Sequence, residues 1–197
     1  MGIWNKLFGQ KIKSRGEEVN SPYLPEKKND IEIVFAEKFT SKGGKFIFSE
    51  DSKSTGEFFR LIMEENQWNL NEVLCFDRQL SDRFGLEHSK DHFNPKHFKA
   101  LLIACEYLIA NKGTILICHH QLKDYKLKSL PGFFIVFSGL NNFVNDVSEG
   151  MTELKKKYTD QHPTNITTLN VKNSEDENDF LSYGNSAKNL YLVLQDH

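Results

Sequence analysis

Residues 106–137 read EYLIANKGTILICHHQLKDYKLKSLPGFFIVF, and the way the apolar runs of this stretch are punctuated decides the fold. Tyr107–Ala110 and Thr114–Cys118 are apolar, partly β-branched runs separated by Asn111-Lys112-Gly113. A short Asn/Gly-containing gap between two such runs predicts a β-hairpin, with Gly113 supplying the positive φ of the turn. After a lysine-rich segment, Leu130-Pro131-Gly132 introduces Phe133–Phe137, a continuous apolar run of the kind buried on both faces of a sheet. The stretch therefore belongs inside a sheet, away from its edge.

Outward from this centre, strands and helices alternate. On the N-terminal side, Ile31, Val34, Phe35 and Phe39 predict a helix stopped by Gly43, followed by a strand at Lys45–Phe48. Ser54-Thr55-Gly56-Glu57 has capping-box spacing and opens a helix carrying Phe58, Phe59, Ile62 and Met63. Val73–Phe76 reads as a strand and Gln79–Phe84 as a short helix stopped by Gly85, while periodicity leaves Ala100–Cys105 open between helix and strand. On the C-terminal side, Leu140, Phe143, Val144, Val147, Met151, Leu154 and Tyr158 trace a helical face capped by Asn141 or Asn142. Its run Lys155-Lys156-Lys157 reads as a solvated end favoured by the helix dipole. Strands at Pro163–Leu169 and Asn189–Leu194 close the chain. Such alternation predicts an α/β fold, a sandwich of helices on a largely parallel sheet.

The 197 residues suit one domain, residues 31–197, preceded by a segment, 1–30, of different character. Ile3, Trp4, Leu7 and Phe8 lie on one helical face and the first sixteen residues hold four basic and no acidic side chains. This amphipathic segment is expected to dock on a surface, either a partner or, peripherally, a membrane, and residues 14–30 read as its linker. Lys plus Arg number 25 and Asp plus Glu 27, so no global field draws the chain to nucleic acid, which is not an expected partner. No apolar run approaches the ~20 residues that span a bilayer and no signal-peptide core opens the chain, so a cytoplasmic location is the default expectation.

Little in the sequence announces chemistry. No dinucleotide fingerprint, P-loop, zinc ligand set or nucleophile elbow is matched, so neither a cofactor nor a metal ligand set is expected, and no catalytic residue is assigned. Cys75, Cys105 and Cys118 are far apart, each in an apolar run, which reads as small buried hydrophobes in a reducing compartment. His119-His120 ends a strand, where ligands collect in open α/β sheets, but neighbours on a strand point to opposite faces and do not readily share a metal. Glu106 lies within apolar sequence, so its burial requires a partner or raises its pKa.

The wording of the central stretch adds a resemblance. Glu106 ahead of Ile109-Ala110, Gly113-Thr114 opening one strand and Leu130-Pro131 opening another resemble the LUD-domain family, and within it the LutC/YkgG branch of lactate-utilisation proteins. The likeness follows the order of elements over roughly residues 31 to 194 and is specific in the central third. It implies a Rossmann-like three-layer sandwich, the NagB/RpiA/CoA transferase-like fold, with Glu106 and the Gly113-Thr114 turn amides near a small anionic ligand. Together with His119, Lys126 of the basic loop and Gly184 of the closing segment, these are the expected ligand contacts.

Two departures from the family pattern stand out. Asn170–Glu177 replaces a Gly-Pro-Ser turn and its Thr-x-Asp-Ile-Glu, and Ser182–Ser186 replaces a Gly-x-His-Gly-Pro. An expected arginine is replaced by Lys123, Lys126 or Lys128, which cannot clamp a carboxylate in a bidentate way. The resemblance implies an accessory component of a lactate-oxidation system whose iron–sulfur partner subunits hold clusters that three dispersed cysteines cannot. The alternatives are a transferase or ligase for a phosphorylated or CoA-like molecule, and a non-catalytic docking module.

Overall fold

The structure is a computed structural model describing residues 30–87, 94–123, 125–172 and 187–196. The expectations for the N-terminal amphipathic segment and its linker, and for Gly184, lie outside the described residues. In chain order the elements are α1 (Ile31–Ser41), β1 (Lys45–Ser49), α2 (Ser52–Asn66), β2 (Val73–Cys75), α3 (Arg78–Phe84), β3 (Ala100–Ala104), β4 (Tyr107–Ile109) and β5 (Thr114–Ile117). They continue with α4 (His119–Leu122), β6 (Phe133–Gly139), β7 (Phe143–Val144), α5 (Val147–Lys157), β8 (Thr167–Val171) and β9 (Ala187–Gln195).

Five parallel strands run in the order β2-β3-β6-β9-β1. The first two residues of β9 also pair with β8, which leads into β5, the β4–β5 hairpin and β7. Among the described residues, only the two ladders of β5 are antiparallel. The expected class holds: a mostly parallel sheet flanked by helices, in a Rossmann-like layering.

Strand β6 sits between β3 and β9, and its burial explains the unbroken apolar run. Phe134 and Val136 join one core with α1, where Phe35 and Phe39 stack at 5.4 Å, and with the hairpin residues Leu108, Ile115 and Ile117. Ile135 and Phe137 point the other way, to Phe59 and Ile62 of α2 and Phe84 of α3. Period-two alternation thus feeds two cores from one strand. The outer face of the hairpin is covered by α5, where a Cβ on Gly150 would lie 3.3 Å from Leu116.

Several boundaries differ from the sequence expectation. Helix α2 starts before Ser54: Asp51 is the cap, accepting from the Ser54 amide at 2.7 Å while the Asp51 amide donates to the Ser54 hydroxyl. A carboxylate two residues beyond the strand outcompetes the Ser-x-x-Glu reading. Neither Asn141 nor Asn142 caps a long helix: Leu140–Asn142 is a 3-10 turn and Phe143–Val144 pairs with Leu108–Ile109. Helix α5 begins only at Val147, capped by Asp146, whose carboxylate accepts from the Glu149 amide at 2.9 Å. Ladder pairing wins over the helical period of the apolar residues there. The ambiguous run at Ala100 is a strand, buried between β2 and β6.

Candidate functional site

At Glu106 the chain leaves one sheet and enters the other. The Cys105 amide still donates to Phe137 O of the parallel sheet at 3.2 Å, while the next amide, that of Glu106, donates to Leu116 O of the hairpin at 2.9 Å. A crevice of about 270 Å3 opens beside this junction, at the carboxyl ends of β2 and β3, bounded by Phe76, Asp77, Glu106, His120, Lys157 and Tyr158. Ligand crevices in open α/β sheets lie at such strand ends. A larger groove of about 670 Å3 between α2 and α3 is walled mainly by Phe59, Met63, Trp68 and Phe84, and the chemistry-bearing side chains are gathered in the smaller one.

Glu106 is 1% exposed and fully engaged. Its Oε2 accepts from Lys157 Nζ at 2.8 Å, and its Oε1 accepts from Gln121 Nε2 at 2.8 Å, Tyr158 OH at 3.0 Å and Cys118 Sγ at 3.3 Å. Gln121 is itself held in place because its Oε1 accepts from the Cys118 amide at 2.9 Å. Burial pushes the Glu106 pKa up, but the Lys157 and Gln121 hydrogen bonds and the Lys157 charge outweigh it and hold the carboxyl below its ordinary value. Of the two outcomes open at the sequence level, the partner prevails over the raised pKa. Burial likewise opposes the charge of Lys157, and the Glu106 carboxylate overrides it, raising that pKa. The Cys118 thiol is pushed up to about 11, chiefly by burial, and so is a hydrogen-bond donor to Glu106. Burial, then the Glu106 charge, raises Tyr158, and burial with the neighbouring His119 lowers His120. The site is a buried carboxylate ion-paired to one ammonium and ringed by neutral donors.

The other expected contacts are distributed differently. Gly113 and Thr114 occupy the turn at the far end of the hairpin from Glu106, since Ile109 pairs with Thr114 and Tyr107 with Leu116. Three residues of strand separate them, on the order of 10 Å. The Gly113 amide is spent on Ala110 O, and the turn carbonyls of Asn111 and Lys112 accept from Lys38 and Lys42, so this turn is not an anion cradle shared with Glu106. The turn packs against α1 instead.

His119 and His120 are not strand residues but open α4, so their rings meet edge to face with centroids 4.0 Å apart. His119 Nδ1 accepts from the Thr164 amide at 3.0 Å, which fixes that ring on the loop before β8, and it is His120 that reaches the crevice. Lys126 is exposed in the loop after α4, and the crevice cation is Lys157. A signal for Lys157 existed: α5 buries Gly150 and Leu154, and three or four further residues along that stripe fall on Lys157 and Tyr158. The lysine run therefore does not end wholly in solvent. Cys75, Cys105 and Cys118 are free and buried, as expected, but Cys118 also touches the site.

The fold and crevice together define a Rossmann-like α/β protein with a polar site where its parallel strands end. The model of the LUD domain matches residues 31–194, and the chain belongs to the LUD domain family. That domain is associated with lactate-utilisation proteins. The structure is similar to the crystal structure of a DUF162 family protein from Deinococcus radiodurans, with a TM-score of 0.58 over 85% of this chain and 96% of that one. At 16% sequence identity this likeness establishes the fold alone. No curated protein matches the chain in sequence. Among the described residues, no helix is long and apolar enough to cross a membrane.

Proposed function

We propose that the chain is a LutC/YkgG-type accessory component of a lactate-oxidation system, acting beside partner subunits that carry iron–sulfur clusters. The observation that carries this reading is the LUD match, which runs from the first residues of α1 to the end of β9. A four-thiolate cluster needs more cysteines than the three of this chain, and these are spread over two cores and the crevice. The cluster therefore belongs to a partner. The crevice has room for a molecule the size of a small hydroxy or oxo acid. Lys157 is the cation of the crevice, already paired with Glu106, so a carboxylate ligand binds there by competing with that pair, with the Tyr158 hydroxyl and His120 ring beside it. The test is capture of the untagged protein from native extract together with a lactate-oxidation assay on the purified chain. Co-purification of iron–sulfur subunits, with no turnover by the chain alone, is expected. Lactate oxidation by the isolated chain overturns the reading.

The alternative of a transferase or ligase for a phosphorylated or CoA-like molecule drew on Glu106 acting with the Gly113-Thr114 amides. With these at opposite ends of the hairpin, it loses its anion-binding half.

A further inference from the structure

We propose that Glu106, Cys118 and His120 form a binding site for one zinc ion, with the fourth ligand position opening into the crevice. The proposal stands apart from the accessory reading, because it concerns what this chain binds by itself. The ligand atoms of the three residues all lie within 4.8 Å of one another, and the Cys118 Sγ to Glu106 Oε1 separation is 3.3 Å. Ligand atoms around a tetrahedral zinc sit about 3.5 Å apart, given Zn–N and Zn–O bonds near 2.0 Å and Zn–S bonds near 2.3 Å. Glu106 and Cys118 already meet that spacing. His120 is exposed at the mouth of the crevice, so its ring has room to close the remaining gap.

The hydrogen bonding at Glu106 points the same way. Oε1 accepts from Cys118, Gln121 and Tyr158, so the carboxylate is held with one oxygen against the sulfur. An ion would stand where the thiol proton now bridges Cys118 and Glu106: the Cys118 S–H bond breaks, its proton leaves to solvent, and sulfur and Oε1 both become ligands. Oε2 keeps its bond to Lys157, which orients the carboxylate from outside the ligand shell. One thiolate, one imidazole and one carboxylate form the mixed sulfur, nitrogen and oxygen set that selects zinc over magnesium or calcium, which take oxygen alone. Three protein ligands with an open fourth place are the arrangement of zinc sites that act on a bound molecule, and here that place faces the crevice.

The sequence hides the site because its ligands come from a sheet junction and one turn of helix, and the three share no Cys-x-x-Cys or His-x-x-x-His spacing with one another. The His119-His120 pair also draws attention to the wrong partner for His120.

The test is titration of the untagged full-length protein, stripped with a chelator and dialysed, with cobalt(II) and then zinc(II). Wild type is expected to bind one equivalent, to show a thiolate-to-cobalt charge-transfer band with intense tetrahedral visible bands, and to lose both on adding zinc. Cys118→Ser should remove the charge-transfer band. His120→Ala should weaken binding by more than about 100-fold, since loss of even an outer-shell partner costs 10- to 100-fold. His120 is exposed, so this second variant remains folded and decides the matter if Cys118→Ser fails to fold. Absence of the cobalt bands in wild type, or equal affinity in wild type and His120→Ala, overturns the proposal.

Discussion

Lys157 and Glu106 are 51 residues apart in sequence and 2.8 Å apart in the fold. Their pair joins the end of α5 to the point where the chain passes between sheets, and among the described residues it is the one ion pair with a buried member. The Lys157 side chain is 50% exposed, so solvent screens part of the attraction, but the carboxylate depends on it.

Lys157→Met should therefore destabilise the protein by roughly 1 to 3 kcal/mol in urea denaturation, less than the 3 to 5 kcal/mol of a pair buried on both sides. Adding Glu106→Gln to Lys157→Met should recover part of the loss, because the stranded charge is removed. A double variant as unstable as the sum of the two single ones would mean the residues act independently.

The same pair sets an acid dependence. The Glu106 carboxyl titrates below its ordinary value of 4.5 in the folded protein, so the unfolded chain takes up its proton first as pH falls. The stabilisation is complete above that value and is lost as pH drops through and below it. Relative to wild type, Glu106→Gln should then lose its disadvantage in acid, and denaturation of both proteins across that range checks the convergence. A gap that stays constant with pH removes the carboxylate from the argument.

Gly113 has a φ of 55° and a Cβ there would fall 2.6 Å from the Phe39 amide nitrogen and 2.7 Å from the Lys38 carbonyl carbon. Gly43 also has positive φ, 91°, but open space around it. Gly113→Val should accordingly cost roughly 2 to 5 kcal/mol, from backbone strain and the clash with α1 together, while Gly43→Ala should cost about 1 kcal/mol from strain alone. Thermal melts of the two variants give the comparison, and equal costs would discount the contact with α1.

Legibility of the fold followed the residues that act locally. Gly113 and Gly85 announce their turns because positive φ is a property of the residue itself, and the alternation of Phe134 and Ile135 between two cores is visible as an unbroken apolar run. The start of α5 was hidden because Phe143 and Val144 fit a helical stripe equally well, and only their pairing with Leu108 and Ile109 makes them a strand. At the site, Glu106 was visible as a charge out of place. Lys157 and Tyr158 continue the buried stripe of α5, which signals the side they face but not their partner: that comes from α5 ending over the β3–β4 junction, a long-range relationship that no local spacing encodes.

Lys188 offers a test at the alkaline end of the pH range. It is 7% exposed, and its Nζ donates to the carbonyls of Pro131 at 3.1 Å and Leu130 at 3.3 Å, the turn that launches β6. Burial lowers its pKa from 10.5, so in the folded protein the ammonium gives up its proton at lower pH than in the unfolded chain. Between those two values the unfolded state holds more protons, and stability rises with pH. A neutral amine still carries two N–H groups, enough for the two carbonyls, so the turn keeps its hydrogen bonds after deprotonation. Lys188→Met strips both carbonyls of their donor at every pH, at about 1 kcal/mol for each bond. It also removes the desolvated charge, which offsets that loss only while the lysine is protonated. The wild type should thus gain on Lys188→Met as pH rises toward 10.5, read by urea denaturation at neutral and alkaline pH. A difference that shrinks on the alkaline side would show that the charge at Lys188 stabilises the turn.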